Sequence, residues 1–81
     1  MMDYSTINNQ PVAIKCSNWL QAFKLLRTLK KNGFYWKDYR NIGIFTAWSR
    51  HLNTYNVIRN RVMINNERFY EEHNFEVIDF N

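Results

Sequence analysis

Val12, Ile14 and Cys16 alternate with Ala13 and Lys15, the two-residue period of a half-buried strand. Pro11 suits its first position, where no ladder donor is needed. The period then lengthens. Trp19, Ala22, Phe23, Leu26 and Leu29 recur at three- and four-residue steps, with Leu20 and Leu25 beside them. That spacing predicts one long amphipathic helix with all seven on its buried stripe. Asn18 is placed to accept from early backbone N–H groups, and Gln21 three residues on completes a capping-box pair. Gly33 ends the helix, since the residue after the cap adopts a left-handed conformation that suits a residue without Cβ. Lys30 and Lys31 in the last turn favour that end electrostatically.

Phe34-Tyr35-Trp36-Lys37 reads as a short strand, and Asp38-Tyr39-Arg40-Asn41 as a polar turn. Ile42 to Ser49 alternates with both faces nearly equally apolar, which predicts a central strand, with Gly43 marking a bulge or a close backbone approach. In residues 52–65, Leu52, Tyr55, Ile58 and Val62 keep a helical step. The Thr, Val, Ile and Asn around them are poor helix formers and favour two strands, 55–59 and 61–65, joined by a turn at Arg59-Asn60-Arg61. Asn65 or Asn66 caps a short helix, Glu67 to Glu72, anchored by Phe69 and Tyr70 and closed at His73-Asn74. Phe75 to Phe80 is the last strand. The expected fold is α+β in the order β-α-β-β-β(β)-α-β, five strands if two of the short ones merge into β-α-β-β-β-α-β. It has a single small sheet of four to five strands, one long helix packed on one face and a short C-terminal helix. If the first strand pairs in parallel with the strand after the long helix, that crossover is right-handed.

Eighty-one residues make one domain, 1–81, with residues 1–10 expected to fray. The aromatic content of 17% offsets the small size, because each buried ring removes a large apolar area from water. A single cysteine, Cys16, allows no intramolecular disulfide and fits a reducing cytoplasm or a small protein indifferent to redox state. No signal-peptide segment or membrane-length apolar run is visible. The excess of Asn, Ile, Phe, Lys and Tyr over Ala, Gly and Pro matches AT-rich coding DNA.

Charge changes the picture more than composition. Residues 15–61 carry ten Lys or Arg against one acid, Asp38, whereas residues 62–81 carry Arg68 against five acids. Either the acidic tail folds back on the basic part, or separate faces of opposite sign steer a partner. The long helix should present Lys24, Arg27, Lys30 and Lys31 on its outer face. That stripe is either a solvated face or, with Tyr39 and Arg40 nearby, a contact surface for a partner. A second group interleaves rings and cations: Tyr35, Lys37, Arg50, Tyr55, Arg59 and Arg61. Exposed, these rings would stack on bases while the cations meet phosphates; buried, they would be core with a snorkelling rim.

Little catalytic chemistry is legible. Cys16, His51 and His73 are far apart and lack zinc spacing. Cys16 is in phase with Val12 and Ile14 and reads as a small core residue, although the helix start after it would favour a thiolate. Two glycines are too few for a phosphate loop. No base, nucleophile and oxyanion donor converge, and no cofactor or metal is expected.

The strand entering a Lys-rich helix that ends Asn32-Gly33-Phe34-Tyr35-Trp36, and the closing run Phe69-Tyr70-Glu71-Glu72-His73-Asn74-Phe75-Glu76-Val77-Ile78, resemble the short accessory proteins encoded in early regions of tailed-phage genomes. The resemblance spans residues 12–80 and lies in element order. It implies a non-enzymatic protein of the infected host's cytoplasm that binds and inhibits a host or defence component, such as a nuclease or toxin system. It carries no site residues. The alternative expectation is an RNA or single-stranded DNA binder, and a third is a homo-oligomeric module; none of the three involves a membrane.

Overall fold

The computed structural model describes residues 4–80. A short 3-10 turn, Tyr4–Thr6, precedes β1 (Val12–Lys15), α1 (Trp19–Lys31), β2 (Tyr35–Trp36), β3 (Thr54–Ile58), β4 (Arg61–Asn65), α2 (Glu67–Glu72) and β5 (Glu76–Asp79). This is the α+β order expected from the sequence, built on one five-stranded sheet in the spatial order β2-β4-β3-β1-β5. β3 runs antiparallel to both its neighbours, while β1–β5 and β2–β4 pair in parallel. β1 and β2 therefore point the same way without pairing, since β3 and β4 lie between them.

Local chemistry explains both helices. Asn18 Oδ1 accepts from Gln21 N–H at 2.9 Å, and Gln21 Oε1 reaches back to Ser17 N–H at 2.8 Å. Asn66 caps α2 the same way, accepting from Phe69 N–H at 2.7 Å. Each helix ends in a Schellman motif. Phe34 N–H donates to Leu29 C=O at 3.1 Å around Gly33 (φ 84°), and Phe75 N–H donates to Tyr70 C=O at 2.9 Å around Asn74 (φ 63°). Between β3 and β4 the two loop residues, Arg59 and Asn60, both have positive φ, the backbone of a tight hairpin matched to strand twist.

The helices take opposite faces of the sheet. Ala22, Leu25, Leu26 and Leu29 of α1 join Ile14, Tyr55, Val57 and Val62 in the main core. On the other face Tyr70 of α2 donates its hydroxyl to Asn56 Oδ1 at 2.6 Å, and Glu67 meets Lys15 at 2.9 Å. The crossover from β1 to β2 travels toward one edge of the sheet and that from β4 to β5 toward the other. Connections of one hand then leave their helices on opposite faces. Among the described residues no buried side-chain polar atom lacks a partner, so the polar β3 residues Thr54 and Asn56 sit inside without an unpaired group.

Four details differ from expectation. Residues 42–49 form no strand. Thr46 C=O accepts from the Tyr55 hydroxyl at 2.7 Å, Ala47 turns left-handed (φ 60°) and Trp48 Nε1 donates to Cys16 C=O at 2.8 Å. The segment crosses the end of the sheet where β1 stops and β3 starts, and the central strand is β3. Trp19 and Leu20 lie outside the buried stripe of α1. Leu20 points away from the arc of Ala22, Leu25, Leu26 and Leu29, and Trp19, although on the same side as Leu26, is the first helical residue and lies beyond the covered turns. Ordered backbone at 34–37 shortens to two strand residues. Finally, residues 1–3 lie outside the described residues, but Tyr4 and Ile7 are core rather than frayed. Asn8 and Asn9 side chains accept from the N–H groups of Asn60 and Arg59 and tie this segment to the hairpin.

Candidate interaction surfaces

The outward face of α1 follows from its buried arc. With Ala22, Leu25, Leu26 and Leu29 inside, the 3.6-residue repeat turns Lys24, Arg27, Lys30 and Lys31 to water. The C-terminal carboxylates do not reach them. Among the described residues the ion pairs are Lys15–Glu67, Arg40–Asp38 and Arg68–Glu72, so Lys15 is the one cation of the basic segment held by the acidic tail. Its pKa is raised, first by the hydrogen bond to Glu67 and then by that carboxylate's charge. Glu67, Glu71 and Glu72 of α2 and Asp79 of β5 belong to the far side of the sheet, whereas Glu76, paired with Val12 and in phase with Ile78, is on the α1 side at the β5 edge. Most of the negative charge is separated from the α1 stripe through the thickness of the domain.

Tyr39 and Arg40 do not join the α1 stripe. Arg40 Nε donates to Asp38 Oδ2 at 2.6 Å. Tyr39 stacks on Tyr35 with ring centroids 5.9 Å apart and accepts at its hydroxyl from Arg61 Nη1 at 3.0 Å, while the guanidinium lies 5.3 Å from the ring centroid. Cross-strand pairing of Tyr35 with Arg61 positions this cluster at the β2 edge, and Tyr39 remains 70% exposed. Of the six residues of the basic–aromatic group expected for nucleic acid, Tyr35 and Arg61 are thus brought together. A groove of about 550 Å³, lined by Trp36, Lys37, Arg40, Met63 and Tyr70 among others, opens next to it.

Tyr55 and Arg50 do not join them. Tyr55 is fully buried, its hydroxyl bound to Thr46 C=O and its pKa raised by burial; it offers no ring to a base. Arg50 follows Ser49 at the opposite end of the sheet from Arg59 and Arg61, because β3 begins near the one and ends at the other. The alternation Tyr55/Val57 against Thr54/Asn56 was the available sign that Tyr55 faces inward.

Sequence reasoning missed an apolar surface. Ile44 is 80% exposed, Phe45 63%, Leu20 54% and Trp19 49%. Trp19 stacks on Phe23 at 5.2 Å, and Trp19 with residues 44–48 lines a groove of about 510 Å³. The patch is assembled from the first turn of α1 and a loop distant in sequence, so no periodicity could display it.

Cys16 is fully buried, and burial pushes its thiol pKa up to about 12, against thiolate character. Among the described residues no group of three or more His, Cys, Asp or Glu is placed to hold a metal, and no helix is long and apolar enough to cross a membrane. No family model, curated protein or solved structure matches the chain.

Proposed function

We propose that this chain is a small non-catalytic binding protein that captures a protein partner stoichiometrically through the outer face of α1. In the setting its resemblance implies, the partner is a host or defence component in the cytoplasm of a phage-infected cell, and binding inhibits or redirects it. The observation that carries this reading is the set Lys24, Arg27, Lys30 and Lys31. These cations stand on one helix with no ion pair to any described carboxylate. A concentrated, unneutralised field of one sign accelerates encounter with an opposite surface and suppresses wrong partners.

The test is affinity capture from nuclease-treated bacterial lysate with the native chain and with K24E/R27E/K31E. The native chain should retain a partner in a defined ratio, and the variant should lose it with an unchanged circular dichroism spectrum. Capture by the variant at native levels rules this surface out.

One observation favours a second reading, a single-stranded nucleic-acid binder: the exposed Tyr39 ring on Tyr35 under Arg61. Such binding should weaken steeply with salt through counterion release. Absence of a gel shift with micromolar protein at low salt disposes of it.

A further inference from the structure

The cations of α1 do not stand alone. Leu20 is one helical turn before Lys24, and Phe23 one turn before Arg27, so the basic stripe runs directly into the patch formed by Trp19, Leu20, Ile44 and Phe45. Exposed apolar area concentrated in this way on a small domain marks a contact site. The loop that presents Ile44 and Phe45 is pinned on both sides. Ile42 and Thr46 are buried, the Tyr55 hydroxyl holds Thr46 C=O, and the Trp48 indole holds Cys16 C=O. Ala47 is kept left-handed, a conformation costing a residue with Cβ about 1–2 kcal/mol. Two exposed side chains carried on an anchored loop are pre-organised, and little ordering entropy remains to be lost on binding.

Resting on the reading of α1 as the binding face, we infer that this surface takes an acidic amphipathic segment of another protein. One apolar side chain of that segment seats in the groove between Trp19 and residues 44–48, and its carboxylates follow along α1 to Lys24, Arg27 and Lys31. From Trp19 to Lys31 the helix spans about 18 Å, the length of a partner segment of about twelve helical residues. Charge selects this occupant. A second copy of the chain would cover the rings, but none of its described carboxylates lines its own patch, which is made of Trp19, Leu20 and residues 44–48. Symmetric pairing through the patch would therefore leave the cations of α1 in water. A lipid surface would meet the rings and cations but has no knob for a groove.

The experiment is selection of a random twelve-residue peptide display library on the full chain, repeated on I44S/F45S and on K24E/R27E/K31E. Both variants change exposed side chains only, and matched melting curves check their folding. Enriched peptides should combine an aromatic or aliphatic anchor with several Asp or Glu, and synthetic versions should bind each variant at least about ten-fold more weakly than native. Undiminished binding to I44S/F45S, with loss on the charge variant, overturns the groove and leaves the proposed function standing. Loss on I44S/F45S alone, with peptides poor in carboxylates, overturns both. Three further results overturn the inference: no enrichment, a concentration-dependent dimer abolished by I44S/F45S, or co-sedimentation with phosphatidylserine vesicles weakened by both variants.

Discussion

The two helices obey the same local code and end with opposite surfaces. Each begins at an Asn whose side chain accepts from a backbone N–H and closes in a Schellman motif around a left-handed residue, Gly33 or Asn74. The shorter one, α2, ties itself inward: Tyr70 to Asn56, Glu67 to Lys15, and Arg68 to Glu72 along its own surface. The longer one, α1, turns Ala22, Leu25, Leu26 and Leu29 inward and leaves its cations without an ion pair among the described residues and Trp19 and Leu20 exposed. Caps decide where a helix starts and stops; what it does with its charges is decided by the face of the sheet it lands on. Surface left over on α1 is therefore the informative surface.

That contrast can be broken first at its anchors. Leu26→Ala in α1 should cost roughly 2–5 kcal/mol and Tyr70→Ala in α2 roughly 3–5 kcal/mol, by loss of buried contacts and the cavity left. Leu20→Ser, on the outer side of α1, should stay within about 0.5 kcal/mol. Urea denaturation measures all three, and a Leu20 effect as large as that of Leu26 would mean the outer face is core.

Next comes the alkaline limb, which engages both faces of the sheet. Cys16 and Tyr55 on the α1 side and Tyr70 on the α2 side all have pKa values raised by burial. The fold holds their protonated forms, so the stability they contribute is complete below their unfolded pKa values and is lost as pH rises through the folded ones. For Cys16 that window runs from its ordinary value of 9.0 up to about 12, and Lys15, raised by Glu67, loses its contribution in the same direction. Denaturation midpoints should fall steadily above about pH 9, and a thiol reagent should label Cys16 only at the rate of opening.

Smaller still, Tyr70→Phe should cost about 1–3 kcal/mol, since it leaves Asn56 Oδ1 without its buried donor. Asn18→Ala and Asn66→Ala should each cost about 1 kcal/mol, by loss of one backbone N–H partner. Helicity measured by circular dichroism separates the two caps, because α1 has 13 residues and α2 six.

Most of the frame was legible because it is written locally. The three-residue spacing of Asn18 and Gln21, Gly33 after the last Lys, the Arg59-Asn60 turn and Asn66 before Glu67 each specify structure within a few residues. Ile42 to Ser49 alternates convincingly, yet its conformation depends on Tyr55 in β3 and Cys16 just past β1, which grip it from far along the chain. Trp19 and Leu20 show a related effect: periodicity groups them with the stripe, but only packing fixes how far along and around the helix the sheet covers it. Of the candidate site, the cationic row was readable from spacing alone. Its apolar continuation was not, because half of it comes from the loop that reads as a strand.

The pairing of β1 with β5 has a consequence for how the molecule assembles. Val12 to Lys15 align with Glu76 to Asp79, so the first strand waits for the last before that side of its backbone is covered. The β3–β4 hairpin can close while the polypeptide is still emerging from the ribosome, but joining segments this far apart adds loop-closure entropy and slows the final step. A nascent chain halted before Glu76 carries an uncovered row of N–H and C=O groups on β1, open to the wrong strand.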